Sequence, residues 1–125
     1  QTAVLSLLCD TVYSVELIPS LTDAATRRLD ALGYHNVVTC NANGYEGWAE
    51  HAPFDGILVT AAASHVPPML VEQLRPGGRM AIPVGERYDL QKLMLVEMDQ
   101  AGRIDGRVIL GVAFVPLIDR PPGAA

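Results

Sequence analysis

The chain has 125 residues, 50% hydrophobic and 18% charged, which suits one compact globular domain with a sizeable core. Its net charge of −5 and its nine scattered Lys and Arg argue against a nucleic-acid partner, whose phosphates call for a basic face. No apolar run approaches the ~20 residues of a membrane span, the N-terminus QTAVLSLLCD lacks the basic start of a signal peptide, and Cys9 and Cys40 make no disulfide or metal spacing. The expected setting is therefore the reduced cytoplasm, with no membrane and no metal, and both thiols read as core residues.

TAVLSLLC (2–9) reads as the back half of a helix without an N-cap of its own. VYSVE (12–16) reads as a strand that ends on an acid. SLTDAATRRLDALG (20–33) predicts a helix that Ser20 can cap and Gly33 stops, with Leu21, Ala24, Ala25, Leu29 and Leu32 on one face. NVVTC (36–40) is a second short strand, and NANGYEGW (41–48) is a loop with an Asn-Gly turn signal. FDGILVTAAA (54–63) has the apolar character of a strand covered on both sides. VPPMLVEQLRPGG (66–78) predicts a helix opened by Pro67 and Pro68 and closed by Pro76-Gly77-Gly78. RMAIPV (79–84) is a fourth strand. QKLMLVEMD (91–99) and GRVILGVAFVPLI (106–118) read as an antiparallel pair joined by QAGRID. Residues 1–118 form the expected domain, and 119–125 a loose tail.

Strands alternating with helices predict an α/β fold with the first four strands in one parallel sheet. Sheets of this kind bind ligands at the C-terminal ends of their strands, where Glu16 lies. In dinucleotide-type folds an acid ending the second strand accepts hydrogen bonds from ribose hydroxyls, about 20 residues beyond a glycine-rich turn. Counting back from Glu16 puts that turn, and the first strand, upstream of Gln1. On pattern alone two readings of Glu16 stay open: a ribose ligand, or an ordinary strand-end acid facing solvent.

VYSVE, GYEGW, FDGILVTAAA, VPPMLVEQLRPGGRMAIPVGE and FVPL, in that order, resemble the protein-L-isoaspartate O-methyltransferase family from Gln1 to about Leu117. The resemblance implies a Rossmann-like S-adenosylmethionine-dependent methyltransferase fold, incomplete at the N-terminus, with a C-terminal antiparallel strand pair. It implies methyl transfer to the carboxyl of L-isoaspartyl residues in damaged proteins. By position, Glu16 matches the acid on the ribose hydroxyls. Asn43 and Gly44 match the adenine-contacting loop, where the family has an aspartate at 43 and a glycine at Ala42. Thr60 and Ala61 match the cofactor's methionine side. Pro83, Val84 and Gly85 match the floor near the substrate, and Val115, Pro116 and Leu117 a segment near the isoaspartyl site. The family's glycine-rich loop and substrate-binding serine would lie upstream of Gln1, so no catalytic residue is assigned.

An isoaspartyl carboxylate, with a pKa of ~4, is ionised at neutral pH. In-line methyl transfer therefore needs positioning rather than a strong base, in keeping with a sequence whose His35, His51 and His65 have no obvious partner. Tyr45 and Trp48 could flank an adenine, with core filling the more ordinary role for Trp48. Two competing readings are a catalytically inactive remnant or interaction module, self-associating through open strand edges, and a nucleotide-dependent oxidoreductase. The second gives VTAAA and IPVG no role.

Overall fold

The computed structural model describes residues 1–123; Ala124 and Ala125, the end of the expected tail, lie outside the described residues. The elements are α1 (Thr2–Ser6), β1 (Val12–Glu16), α2 (Pro19–Ala31), β2 (Val37–Asn41), two single 3-10 turns at Gly44–Glu46 and Ala49–His51, β3 (Phe54–Leu58), α3 (Pro68–Glu72), β4 (Leu74–Val84), β5 (Gln91–Met98) and β6 (Ile104–Val112). They fall into two compact units, Gln1–Gly44 with the residues from Asp119 on, and Tyr45–Ile118.

In the first unit β1 and β2 pair in parallel, Val12 opposite Val37 through Glu16 opposite Asn41. Asn36 ties the turn before β1 to this pair: its side-chain amide donates to the carbonyls of Ser6 (2.8 Å) and Cys9 (3.0 Å), and its own carbonyl accepts from Val12 N–H (2.9 Å). Helix α2 starts one residue earlier than expected, at Pro19, whose fixed φ suits a first helical position. Ser20 thus lies inside the helix and Ile18 is its N-cap, with no side-chain cap bond. The end is as expected: Gly33 takes φ +85°, its N–H bonds Asp30 O, and Tyr34 N–H reaches back to Leu29 O, the paired bonds of a glycine-terminated helix. The apolar face is only partly used, since Leu21 and Leu32 are 51% and 66% exposed. A two-stranded sheet covers too little of the helix to bury its whole stripe, and Val12 is the only buried apolar side chain of this unit among the described residues.

In the second unit β3, β4, β5 and β6 form one sheet in that order, parallel between β3 and β4 and antiparallel thereafter. Ala63, Leu70, Leu74, Met80, Ile82 and Val96 make its core. Met80 and Ile82 are fully buried, each contributing roughly 1.5–3 kcal/mol of apolar transfer.

Four expectations are corrected. The first four strands do not share one sheet: β1 pairs only with β2 and β3 only with β4, so no hydrogen-bonded ladder runs from one pair to the other. The helix expected over 66–78 is confined to Pro68–Glu72, because Gln73 O already accepts Phe54 N–H (2.7 Å) and Leu74 pairs with Phe54. The ladder resumes at Gly56 opposite Arg79, so residues 75–78 form an irregularity inside β4 instead of closing a helix. The first helix stops at Ser6, four residues before Asp10, leaving Leu7, Leu8 and Cys9 exposed, so Cys9 is no core thiol. β3 is not covered throughout: Leu58 is exposed, and β3 has no partner beyond β4.

Candidate binding site

β1 ends on Glu16, and the chain is held there by polar side chains. The Glu16 carbonyl accepts from Ala42 N–H (3.1 Å) and from the Asn41 side-chain amide (2.8 Å). The same Asn41 amide nitrogen donates to Leu17 O (2.9 Å). The buried Thr22 hydroxyl lies within reach of the carbonyls of Ile18 (3.2 Å) and Glu16 (3.3 Å). The Glu16 carboxylate turns back over the start of α2: Oε1 accepts Ile18 N–H at 3.0 Å. One carboxylate oxygen thus satisfies a donor left over at a helix start, while Oε2 has no hydrogen-bond partner among the described residues. A half-buried carboxylate at the C-terminal end of a parallel strand, with one oxygen committed locally, suits an acceptor of ligand hydroxyls. Asn43 and Gly44, half-buried, close this unit on the loop that follows β2.

In the second unit, two consecutive alanines bring distant segments together. Ala62 N–H donates to Val115 O and Leu117 N–H donates to Ala62 O, both at 2.8 Å. Ala63 N–H donates to Pro83 O (3.0 Å) and Gly85 N–H to Ala63 O (2.9 Å). The backbone following Thr60 and Ala61 is therefore flanked on one side by Pro83-Val84-Gly85 and on the other by Val115-Pro116-Leu117. Ala62 and Ala63 are buried, 4% and 0% exposed, so each adds only a methyl group to this junction. All eight sequence-predicted residues of this unit meet here: Thr60 and Ala61 lead into it, and the other six line it. Glu16, Asn43 and Gly44 belong to the first unit.

Two buried amides, overlooked by the sequence reading, brace this unit. Gln73 Oε1 accepts Trp48 N–H (2.9 Å) and Nε2 donates to Glu46 O (2.8 Å), which fixes the GYEGW loop. Gly47, at φ +64°, lies so close beneath this amide that a Cβ there would collide with the Gln73 side chain and come within 2.9 Å of Leu70 Cδ2. Gln91 Oε1 accepts Phe114 N–H (2.6 Å) and Nε2 donates to Phe114 O (3.1 Å). The only signal for either is a glutamine beside apolar residues, since a buried amide must find partners.

Tyr45 packs against the core, and its hydroxyl donates to Leu117 O at 3.2 Å. Trp48 meets the His51 ring edge-on at 4.7 Å. The histidines are not without neighbours as expected: His35 Nδ1 is 3.5 Å from Asp30 Oδ1, and His65 Nδ1 is 2.9 Å from Ser64 Oγ. Each is a local surface contact. Among the described residues no three His, Cys, Asp or Glu gather as a metal site, and no helix is long and apolar enough to cross a membrane.

Residues 1–121 match the family model for protein-L-isoaspartate(D-aspartate) O-methyltransferase. The chain is 57% identical over 117 residues to protein-L-isoaspartate O-methyltransferase 2 of Syntrophobacter fumaroxidans, covering 94% of this chain and 47% of that protein. It is 55% identical to the protein of the same name from Polaromonas, over 94% of this chain and 56% of the other. The chain spans about half the length of the curated relatives it matches. Among solved structures, it superposes with a TM-score of 0.77 and 30% identity on a protein-L-isoaspartate O-methyltransferase, over 85% of this chain and 33% of the other. It superposes with a TM-score of 0.74 and 27% identity on a Plasmodium falciparum protein described as a protein-L-isoaspartate O-methyltransferase in complex with S-adenosyl-L-homocysteine, over 88% of this chain and 53% of the other.

Proposed function

From the premise that the chain belongs to the protein-L-isoaspartate(D-aspartate) O-methyltransferase family, we propose that it serves S-adenosylmethionine-dependent methylation of isoaspartyl carboxyl groups in damaged proteins. The observation that carries this reading is the double bridge at Ala62 and Ala63, which joins both substrate-floor segments directly after Thr60-Ala61.

S-adenosylmethionine, when bound, supplies an electrophilic methyl group on a sulfonium. In this reading Glu16 Oε2 accepts a ribose hydroxyl, and Asn43 and Gly44 meet the adenine. An Asn43 carbonyl accepts from an exocyclic amine without the charge of the family's aspartate. Within the second unit, the 83–85 and 115–117 segments would hold the isoaspartyl carboxylate. That carboxylate is already ionised at neutral pH, so the residues have to orient it and exclude water, with no proton to remove. The product would be a methyl ester of the isoaspartyl carboxyl. The ester carbonyl is then open to attack by the next backbone nitrogen, which expels methanol and leaves a succinimide. The matching partners are isoaspartyl-containing proteins, and the matching compartment is the cytoplasm.

A second reading, a catalytically silent module, draws on the unpaired outer edges of β1 and β3, which invite pairing with another chain. Methyl-ester formation on an isoaspartyl peptide separates the two. The assay compares this chain with a version joined to the N-terminal region of the Syntrophobacter relative. Turnover by the joined protein supports the methyl-transfer reading. Its absence, with self-association of the chain, supports the second.

A further inference from the structure

We propose that Gln91 is the positioning residue that sets the spacing of the isoaspartyl-binding floor, an inference that rests on the methyl-transfer reading above. The β5–β6 ladder has its last rung at Gln91 opposite Val112. Beyond Val112 the chain leaves the sheet, and the Gln91 side chain supplies the next two bonds itself: Oε1 takes Phe114 N–H at 2.6 Å and Nε2 gives to Phe114 O at 3.1 Å. An amide presents one donor and one acceptor side by side, which matches the N–H and C=O of a single residue. Gln91 is 5% exposed and both ends of its amide are engaged, so its conformation is locked.

The same residue touches the other half of the floor. A Cβ on Gly85 would stand 2.9 Å from Gln91 Cα and 3.1 Å from its Cγ, so Gly85 lies directly against it. The segment 115–117 therefore hangs between Gln91, through Phe114, and Ala62, while 83–85 is held between Gln91, through Gly85, and Ala63. Pro83, Val84, Gly85, Val115, Pro116 and Leu117 carry no polar side-chain group. What they recognise is read by backbone groups and shape, so the distance between the two segments is itself the specificity element. Gln91 controls that distance from below without meeting substrate.

The test uses Gln91→Met, which keeps the length and loses both bonds, and Gln91→Glu, which keeps the acceptor for Phe114 N–H and loses the donor. In the chain itself, amide exchange at Phe114 is expected to quicken by about tenfold or more in Gln91→Met and less in Gln91→Glu. In the joined protein, the KM for an isoaspartyl peptide is expected to rise by about tenfold in Gln91→Met, and less in Gln91→Glu, with the KM for S-adenosylmethionine unchanged. Unchanged exchange at Phe114, an unchanged peptide KM, or an equal rise in both KM values overturns the assignment. Should Gln91→Met not fold, Gln91→Glu carries the same readouts. If the unsubstituted joined protein forms no methyl ester, the methyl-transfer reading fails, while exchange at Phe114 still decides whether Gln91 clamps the segment.

Discussion

The side-chain amide of Asn41 donates to the main-chain carbonyl of Glu16 at 2.8 Å, so the strand-end acid is held by the last residue of the neighbouring strand. The same nitrogen reaches Leu17 O, which pins the chain as it turns from β1 into α2. Replacing Asn41 with alanine removes both bonds at a partly solvated site and is expected to cost about 1–2 kcal/mol. A urea midpoint unchanged by the substitution would show that the two carbonyls are equally well served by water.

Glu16→Gln keeps an oxygen for Ile18 N–H and so leaves the helix start intact. It removes the charge that the proposed reading gives to ribose binding. In the joined protein, calorimetry is expected to show S-adenosylmethionine affinity weakened by about 1–3 kcal/mol, with little change in melting temperature. Equal affinity would remove Glu16 from the site.

Gly47→Ala sets a Cβ against the Gln73 amide that holds the GYEGW loop and forces an alanine to φ +64°. The expected loss is about 1–3 kcal/mol in denaturant unfolding. Gln73→Ala should remove the part of the penalty that comes from the Gln73 side chain, leaving the strain at φ +64° and the contact with Leu70. A strictly additive double variant argues against the clamp.

In the turn joining β5 and β6, the Arg103 backbone N–H, together with the Arg103 side chain and the amides of Ala101 and Gly102, holds the Asp99 carboxyl below its ordinary range, against the opposing effect of burial. The folded value lies below the unfolded one. The turn's stabilisation is therefore present above the ordinary carboxylate pKa of about 3.9 and is lost as pH falls through the lowered value. Amide exchange at Ala101 and Arg103 is expected to show this loss in acid, and Asp99→Asn should flatten the dependence. A profile unchanged by Asp99→Asn would assign it to another group.

The chain by itself is expected to turn over isoaspartyl peptide far more slowly than the joined protein. β1 and β3 each have an outer edge without a strand on it, which favours pairing with another chain over presenting a settled site. Comparable rates for the two proteins would show that these edges do not limit the reaction.

Much of this could be read from the residues. Gly33 announced the end of α2 and the apolar character of MAIPV announced β4, whereas the hydrogen-bonded junction of VTAAA with IPVG and FVPL at Ala62 and Ala63 was not among the expectations. The failures have physical causes. Pro67-Pro68 and Pro76-Gly77-Gly78 bracketed a helix over 66–78, but the bond from Phe54 N–H to Gln73 O draws the chain into the sheet first, and tertiary pairing overrides local signals. Leu21 and Leu32 carried a helical stripe whose cover depends on sheet width, which no local pattern encodes. Gln73 and Gln91 escaped notice because a glutamine beside apolar residues looks the same whether its amide meets water or a distant backbone.

The burial of Ala63, with no exposed surface and a bridge to Val84, has an evolutionary consequence. Residue volume there acts as a shim: one added methylene would pry apart segments that are remote in sequence, without altering any charge or hydrogen-bonding group. A substitution there that looks harmless by polarity is thus expected to disturb both segments through size.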